Sequence, residues 1–235
     1  MIAVDGRMEP HRQLQAERDR EVVQAVMKLT IFGATGRTGR QLVEQALGAG
    51  HEVKALARDP SRLHVRHEKL TIVQGDVLDP AKVEEVVAGT DAVLSALGHT
   101  STSTKDVQTV GTRNILAAMR KHGVSRIISL TGAGVADPED APKLWNKAIT
   151  LLLKRLQPDV LADAEAHAEA IRASGLDWTI VRGPRLTEGP KRGSYRVGYV
   201  GKGTGAAISR ADLADFMLKQ ATDDTYVHKA PVVSY

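Results

Sequence analysis

The sequence predicts an α/β fold in which helices cover both faces of a doubly wound, mostly parallel sheet. Short apolar strands alternate with helical segments from Lys28 onwards, and a glycine-rich turn joins the first strand to the first helix. Strands and helices that alternate in this way form a parallel sheet buried on both faces. Hydrophobic residues make up 42% of the 235 residues and aromatic residues only 3%, so we expect one aliphatic core.

The predicted elements follow a regular order along the chain. Asp79-Pro80 and Ser209 have the residue types that start helices, and Gly50 is a suitable end for the first helix. Segments 132–143 and 183–193 are rich in glycine and proline and are predicted as loops. Apolar patterning predicts strands over 28–32, 52–57, 70–73, 91–97, 125–130, 178–181, 195–200 and 232–235, and helices over 39–49, 80–88, 106–122, 144–156, 160–173 and 210–221.

Residues 1–26 differ from the rest of the chain because Arg, Glu, Asp and Gln dominate them. We expect a single domain over 27–235, with Met27 at its start. The leading segment, weakly helical over 13–26, is interpreted as a mobile extension, an oligomer contact or the product of start-codon choice.

The composition argues against several classes of function. The chain has no cysteine, which excludes disulfides, thiolate nucleophiles and cysteine metal sites. The net charge of +4 comes from 32 basic residues scattered among 28 acidic ones, which is untypical of a nucleic-acid surface. No apolar run approaches the roughly 20 residues that span a bilayer, no signal peptide is evident, and no His, Asp and Glu spacing suggests a metal site. We expect a cytoplasmic monomer or homodimer that binds a small-molecule substrate and has no nucleic-acid or membrane partner.

Three glycines, Gly33, Gly36 and Gly39, lie between the first strand and the first helix. Glycine permits the tight turn and lets a pyrophosphate approach the backbone, while the N–H groups and dipole of the next helix attract the anion. Thr35 and Thr38 can add hydroxyl donors. A purely structural turn is the alternative, but a strand before and a helix after the glycines predict a Rossmann-type dinucleotide-binding domain.

The end of the second strand indicates which dinucleotide is bound. In an NAD site an acidic side chain at this point accepts from the ribose 2′-hydroxyl. Here the first polar position is Arg58, and Arg62 lies four residues further on. Two guanidinium groups suit a 2′-phosphate, and Arg37 in the glycine turn adds to the same charge. The sequence therefore predicts NADP(H) as the preferred cofactor, with NAD(H) as the alternative if Asp59 accepts from the ribose.

Residues after the third and fourth strands complete the predicted cofactor site. Asp76 can accept from the adenine amino group while the backbone of Val77 pairs with the ring, and the alternative for Asp76 is an Asx turn or a helix cap. The polar segment 100–102 is expected to be a plain loop, and the alternative is that it lines the phosphate or substrate side of the cleft. Three residues end the fourth strand, where the chain passes close to the cofactor: Ala96, Leu97 and Gly98.

Together these features resemble the atypical short-chain dehydrogenase/reductase superfamily, in particular its biliverdin-IXβ reductase/flavin reductase type, with NmrA-like NAD(P)H-binding proteins nearby. The resemblance covers 27–235. It implies an NAD(P)-binding Rossmann domain that transfers hydride to a planar acceptor: a flavin, a quinone or a tetrapyrrole. The segments that carry it are Phe32-Gly-Ala-Thr-Gly-Arg-Thr-Gly39, Arg58-Asp59 with Arg62, Gly75-Asp-Val77, Gly111-Thr-Arg-Asn-Ile115, Ala173-Ser-Gly-Leu176 and Ile208-Ser-Arg-Ala-Asp-Leu-Ala-Asp215.

The chain departs from these relatives at their catalytic positions. No tyrosine occurs over 1–181, so the Tyr–Lys pair of short-chain dehydrogenases is absent. The flavin-reductase type has Thr-Ser after the fifth strand, where this chain has Thr131 and Gly132. Arg185 takes the place of that type's histidine after the sixth strand. Four residues in this region are also expected to bind the cofactor: Leu130, Thr131, Arg185 and Leu186.

Thr131 and Arg185 are the two catalytic candidates. Thr131 shares a strand face with Ser129 if the fifth strand continues that far, and is placed against the nicotinamide or the substrate. Arg185 can anchor a carboxylate or phosphate of a substrate, and the alternative is a solvated loop arginine. His167, flanked by two glutamates, is expected on a solvated helix face rather than in a proton relay.

These observations predict an NADP(H)-dependent reductase of a planar acceptor, which needs little from the protein beyond positioning. The alternative is a non-catalytic NADP(H)-sensing regulatory protein of the NmrA-like type, which the missing Tyr and Ser favour. An epimerase or dehydratase is disfavoured because those enzymes usually need the absent tyrosine. The apolar helix over 144–156 is interpreted as a partner surface or a lid, with basic residues on one side: Lys143, Lys147, Lys154 and Arg155.

Overall fold

The computed structural model describes residues 26–100, 102–144, 151–152 and 155–235. Residues 1–25 of the leading segment lie outside this range, so its expected role stays a prediction. The strands are β1 (Lys28–Phe32), β2 (Glu52–Ala57), β3 (Leu70–Gln74), β4 (Ala92–Ser95), β5 (Arg126–Gly132), β6 (Asp177–Gly183), β7 (Arg185–Thr187), β8 (Arg196–Gly198), β9 (Ala207–Ser209) and β10 (Val232–Ser234). The α-helices with described bounds are α1 (Arg37–Gly48), α2 (Pro80–Val87), α3 (Val107–His122), α4 (Pro158–Arg172) and α5 (Arg210–Lys219).

The main sheet has eight strands in the order β3-β2-β1-β4-β5-β6-β10-β8. Neighbouring strands are parallel except at the edge, where β8 runs antiparallel to β10. The order reverses between β1 and β4, and ligands of open α/β sheets bind outside the carboxyl ends of the strands at such a point. The predicted Rossmann-type sheet, doubly wound and mostly parallel, is confirmed.

Helices cover both faces of this sheet, as predicted. Helices α1 and α5 pack against each other on one face, while α2, α3 and α4 pack side by side on the other. Each layer of helices packs over its own cluster of buried aliphatic side chains. Fully buried members of the first cluster include Leu42, Val43 and Leu213, and those of the second include Val86, Ile115 and Ile171.

The predicted helix ends are confirmed where their chemistry is local. The Asp79 carboxylate accepts from the backbone N–H of Ala81, one residue after Pro80 at the first turn of α2. The Ser209 hydroxyl accepts from the backbone N–H of Asp212 at the start of α5. Gly50 follows α1 with a φ of +84°, a conformation that favours glycine.

Strand lengths differ from the prediction at two places near the site. Strand β5 continues to Gly132 because its last residues pair with Arg182 and Gly183 in β6. Strand β4 ends at Ser95, so 96–98 leave the sheet instead of ending the strand. Within the loop predicted over 183–193, β7 pairs with β9 in a small two-stranded sheet that the sequence did not predict.

The segment 144–156 is only partly described, since 145–150 and 153–154 lie outside the described residues. Its described leucines are exposed instead of packed in the core: Leu144, Leu151, Leu152 and Leu156. The roles suggested for this segment, lid or partner surface, stay predictions. In the described part of the chain, no helix is long and apolar enough to span a bilayer.

Candidate functional site

Two adjoining cavities open where the central strands end. A cleft of about 220 Å³ lies beside the glycine turn, and a mostly apolar cavity of about 320 Å³ lies beside it, against β5. We call them the glycine-turn cleft and the apolar cavity. The two share three lining residues directly after β4, which are Leu97, Gly98 and His99.

The glycine turn is built so that its backbone can face an anion. Gly33 has a φ of +73°, and a Cβ there would lie 2.4 Å from the Ala96 carbonyl oxygen. A Cβ on Gly39 would lie 2.0 Å from the Gly33 oxygen, so both positions require glycine. Gly36 precedes α1 and provides no side-chain cap. The first N–H groups of α1 are therefore available to a pyrophosphate, and this cradle fits a dinucleotide.

The arginines at the end of β2 reach the same cleft. Arg58 and Arg62 line it and are exposed, and the Arg58 guanidinium donates to the Thr100 hydroxyl at 3.4 Å. The Asp59 carboxylate instead accepts from the Ser61 hydroxyl at 2.6 Å and from its backbone N–H at 3.1 Å. These hydrogen bonds lower the pKa of Asp59. Asp59 therefore caps a short turn and does not line the cleft.

Asp76 and Val77 line the cleft on the side of β3. Asp76 Oδ1 accepts from the Leu78 backbone N–H at 3.0 Å, which is the Asx turn considered above, while the residue still faces the cleft. The Val77 carbonyl accepts from the Asn114 side chain at 2.9 Å. A Cβ on Gly111 would lie 2.9 Å from the Val77 side chain, so the glycine lets α3 pack against this loop.

Most predicted cofactor residues come together, but three do not: Arg37, Thr38 and Arg185. Arg37 lies outside the cleft, and its guanidinium pairs with Glu188 at 3.2 Å, with both side chains exposed. Thr38 is buried in α1 and also does not line the cleft. Thr100 also lines the cleft, which agrees with the alternative considered for 100–102, and so does Ser103. The predicted residues that do line the cleft are Gly33, Thr35, Gly36, Arg58, Arg62, Asp76, Val77, Ala96, Leu97 and Gly98.

Three of the four predicted residues of β5 and β7 line the apolar cavity. Leu130, Thr131 and Leu186 line it. Thr131 is buried, and its hydroxyl has no hydrogen-bond partner among the described residues. Buried hydroxyls normally have a partner, so an unpartnered one at a cavity wall is suited to bind a ligand. Arg185 is exposed and lies outside both cavities, although its neighbours Pro184 and Leu186 line the apolar one.

His99 is a site residue that the sequence reasoning missed. Its Nε2 lies 2.9 Å from Oδ2 of the buried Asp163 in α4. A hydrogen on His99 Nε2 would not point at the Asp163 carboxylate. The contact is therefore electrostatic and not an aligned hydrogen bond. Asp163 also accepts the backbone N–H groups of Gln108 and Thr109, each at 2.9 Å. The only sequence signal was a histidine directly after Gly98.

His167 is buried, so its predicted place on a solvated helix face is wrong. Its Nδ1 lies 2.7 Å from the Thr112 hydroxyl and its Nε2 lies 3.2 Å from the Ser129 hydroxyl. Burial lowers the pKa of His167 to about 4, although Asp163 opposes this shift. Of these three side chains, α4 turns only that of His167 toward α3 and β5, so the flanking Glu165 and Glu169 are exposed.

No described tyrosine lines either cavity. The Tyr195 hydroxyl donates to Asp215 at 2.7 Å, away from the site, and burial together with this contact raises the pKa of Tyr195. Within the described ranges, no cluster of three His, Asp or Glu residues could hold a metal ion.

With this geometry in place, comparison with known proteins gives the family. The model of the NAD(P)H-binding family matches residues 33–224. The chain therefore belongs to the NAD(P)H-binding family, which confirms the resemblance at this level. A short-chain dehydrogenase/reductase from Veillonella parvula, solved in complex with NADP, has the same fold with a TM-score of 0.72 at 21% identity, covering 89% of this chain and 94% of its own.

Two curated relatives match over much of the chain. An uncharacterised chloroplastic protein of Arabidopsis thaliana is 33% identical over 71% of this chain and 62% of its own length. The (4-alkanoyl-5-oxo-2,5-dihydrofuran-3-yl)methyl phosphate reductase of Streptomyces griseus is 29% identical over 66% of this chain and 46% of its own length. The chain thus spans about half to three fifths of the length of these relatives.

Proposed function

We propose that this protein is an NADP(H)-dependent reductase that transfers hydride to a planar acceptor. The observation that carries the proposal is the junction of the two cavities. The cleft that fits a dinucleotide adjoins an apolar cavity, and Leu97, Gly98 and His99 line both. A nicotinamide at the end of the cleft would face a molecule in the cavity, and the reduced ring supplies a hydride when bound.

Several contacts support NADP(H) over NAD(H). Arg58 and Arg62 line the cleft where a ribose 2′-phosphate needs positive charge. Asp59, the alternative ribose acceptor, is engaged by Ser61. The Arg40 guanidinium donates to the Arg62 carbonyl at 2.9 Å, which fixes the loop carrying Arg62 to α1. The NADP complex of the Veillonella relative is consistent with this preference.

The apolar cavity supports a flat, largely apolar acceptor such as a flavin, a quinone or a tetrapyrrole. Its volume of about 320 Å³ lies at the lower end of the range for small-molecule sites. Leu130, Val135, Leu161 and Leu186 form its apolar wall. A cavity of this kind excludes water from the transferred hydride and binds a ring by its faces.

A non-catalytic NADP(H) sensor is the second candidate. The observation that favours it is the lack of a tyrosine among the described residues that line the two cavities. In that case the cleft would bind the nucleotide, and a regulated partner protein would bind the nucleotide-bound and nucleotide-free forms with different affinity. The exposed leucines of the 144–156 segment offer such a partner an apolar surface.

Two measurements on one preparation separate the candidates. Calorimetry measures NADPH binding, and the loss of reduced-nicotinamide absorbance measures turnover with FMN, a quinone and biliverdin offered separately. A reductase gives saturable turnover with at least one acceptor. Tight NADPH binding without turnover on any of them would contradict the reductase and favour the sensor.

A further inference from the structure

His99 occupies the junction of the glycine-turn cleft and the apolar cavity, and it is the one titratable side chain among the described residues that line the cavity. The other polar lining side chains there are uncharged: Gln108, Thr131 and Gln157. An imidazole, which can donate a proton from a ring nitrogen, is therefore placed where cofactor and acceptor would meet.

His99 lies beside a buried carboxylate that is itself held by two backbone hydrogen bonds. Asp163 is 6% exposed, and its two oxygens accept the backbone N–H groups of Gln108 and Thr109 at the start of α3. Its Oδ2 lies 2.9 Å from His99 Nε2. Coulomb attraction holds a protonated ring on this side, and the ring nitrogen left for a molecule in the cavity is Nδ1.

We propose that His99 is the proton donor of this site and that the apolar cavity takes an uncharged carbonyl compound, such as a quinone. This inference rests on the proposed reductase function and names its acid and its substrate class. Asp163 is a positioning residue in this scheme, since it acts through His99.

The chemistry balances with the groups named. With a reduced nicotinamide as the hydride donor, the carbonyl carbon would gain the hydride, and the C=O π pair would move to oxygen. His99 Nδ1–H gives its proton to that oxygen, so the carbonyl is reduced to a hydroxyl and the dinucleotide is oxidised. The His99 side chain is 18% exposed, so the neutral ring regains its proton from solvent.

The cavity wall favours an uncharged substrate. No Lys, Arg, Asp or Glu is among its described lining residues. A carboxylate or phosphate placed there would lose its hydration, and the only cation within reach on the described wall, a protonated His99, already lies beside the Asp163 carboxylate. The unpartnered Thr131 hydroxyl offers the carbonyl oxygen a second hydrogen bond. Beyond Asp163, the charged residues on the cleft that His99 also lines are Arg58, Arg62 and Asp76.

The first test compares wild type with His99→Gln, using His64→Gln as the matched control because His64 is exposed and outside both cavities. With 1,2-naphthoquinone, His99→Gln should lower kcat/KM on the order of 100-fold near neutral pH. The dependence of the rate on a protonated group should vanish, and the Kd of NADPH should change less than about threefold. A His99→Ala variant should regain rate when imidazole is added.

The second test needs no cofactor. In the nucleotide-free protein, 1,2-naphthoquinone should shift saturably the imidazole NMR signal that His99→Gln lacks. The matched anion 1,2-naphthoquinone-6-sulfonate, whose sulfonate is on the benzo ring and is not displaced by lysine, should bind at least about tenfold more weakly, because its charge would lose its hydration in the cavity. The chain has no cysteine, so thiol adducts of the quinone do not interfere.

The failures can be told apart. If His99→Gln keeps the wild-type rate and pH profile, the proton-donor role is overturned while the reductase stands. If the sulfonate binds as tightly as its parent, the uncharged substrate class is overturned. If wild type binds NADPH but turns over no acceptor, the proposed function and the role of His99 fall together.

Discussion

Arg182 and Asp140 form a two-point ion pair that holds one wall of the apolar cavity. The guanidinium of Arg182, which is fully buried, reaches the two carboxylate oxygens at 2.7 and 2.8 Å. The same guanidinium donates to the Val135 carbonyl at 2.9 Å. This pair connects the loop after β5 to β6. Because Val135 lines the cavity, the same contacts hold the cavity wall in place.

The Asp140→Ala substitution should destabilise the protein by about 3 kcal/mol, because it leaves a buried guanidinium charge without its partner. Burial opposes ionisation of Asp140, but the hydrogen bonds and charge of Arg182 keep the pKa of this carboxyl low. The free energy of unfolding from urea titrations measures the loss. The control is Glu139→Ala, whose exposed pair with Lys202 at 3.7 Å should contribute less than about 1 kcal/mol. Equal losses of unfolding free energy in the two variants would contradict a larger contribution from the buried pair.

The Thr131 and Thr112 hydroxyls should respond in opposite ways to replacement by Val. Thr112 lies 2.7 Å from His167, so Thr112→Val should cost about 1 kcal/mol or more of stability. The Thr131 hydroxyl has no partner among the described residues, so Thr131→Val should leave the melting temperature unchanged or raise it. The same change should raise the KM for the acceptor severalfold. A Thr131→Val protein that melts as early as Thr112→Val would indicate that the hydroxyl has a structural partner.

The buried His167 should make stability depend on pH. Its pKa is lowered from 6.5 to about 4 in the folded protein, so between these values only the unfolded chain binds the proton. Stability is therefore lost as pH falls from about 6.5 to about 4, by about 3 kcal/mol in total.

This dependence is measured as the difference in unfolding free energy between wild type and His167→Gln across that pH range. The difference should shrink as the pH is lowered. His64→Gln, at an exposed position, serves as the control and should follow the wild type. A His167→Gln protein with the same pH profile as wild type would show that His167 is not the responsible group.

The Arg58→Ala substitution should weaken NADPH binding about tenfold or more, since a charge-assisted contact to the 2′-phosphate is lost. NADH lacks that phosphate and should bind almost unchanged. Calorimetric titration gives the Kd of NADPH and of NADH for wild type and variant, and therefore the fold-change for each nucleotide. Arg66→Ala removes an exposed charge of the same loop that does not line the cleft, and it should change neither. Equal losses for NADPH and NADH would contradict the 2′-phosphate role of Arg58.

The sequence predicted those parts of the site whose chemistry is local. The glycine turn is one, because Gly33 needs its own positive φ and Gly39 lies next to it in the fold. The ends of β4 and β5 were missed, since a strand ends where its neighbours stop pairing. The contact of His99 with Asp163 joins residues far apart in sequence. His167 was misread because its burial depends on how α4 packs and not on its charged neighbours.

The most direct test of the central claim is a block of the apolar cavity that spares the nucleotide. Val160 lines the cavity and is 36% exposed, whereas Ala166 on the same helix is exposed and lines neither cavity. NADPH oxidation with 1,2-naphthoquinone is measured for wild type, Val160→Trp and Ala166→Trp. We expect kcat/KM to fall at least about tenfold in Val160→Trp only, with the Kd of NADPH unchanged in both variants. Wild-type kcat/KM in Val160→Trp would contradict the assignment of this cavity as the acceptor site.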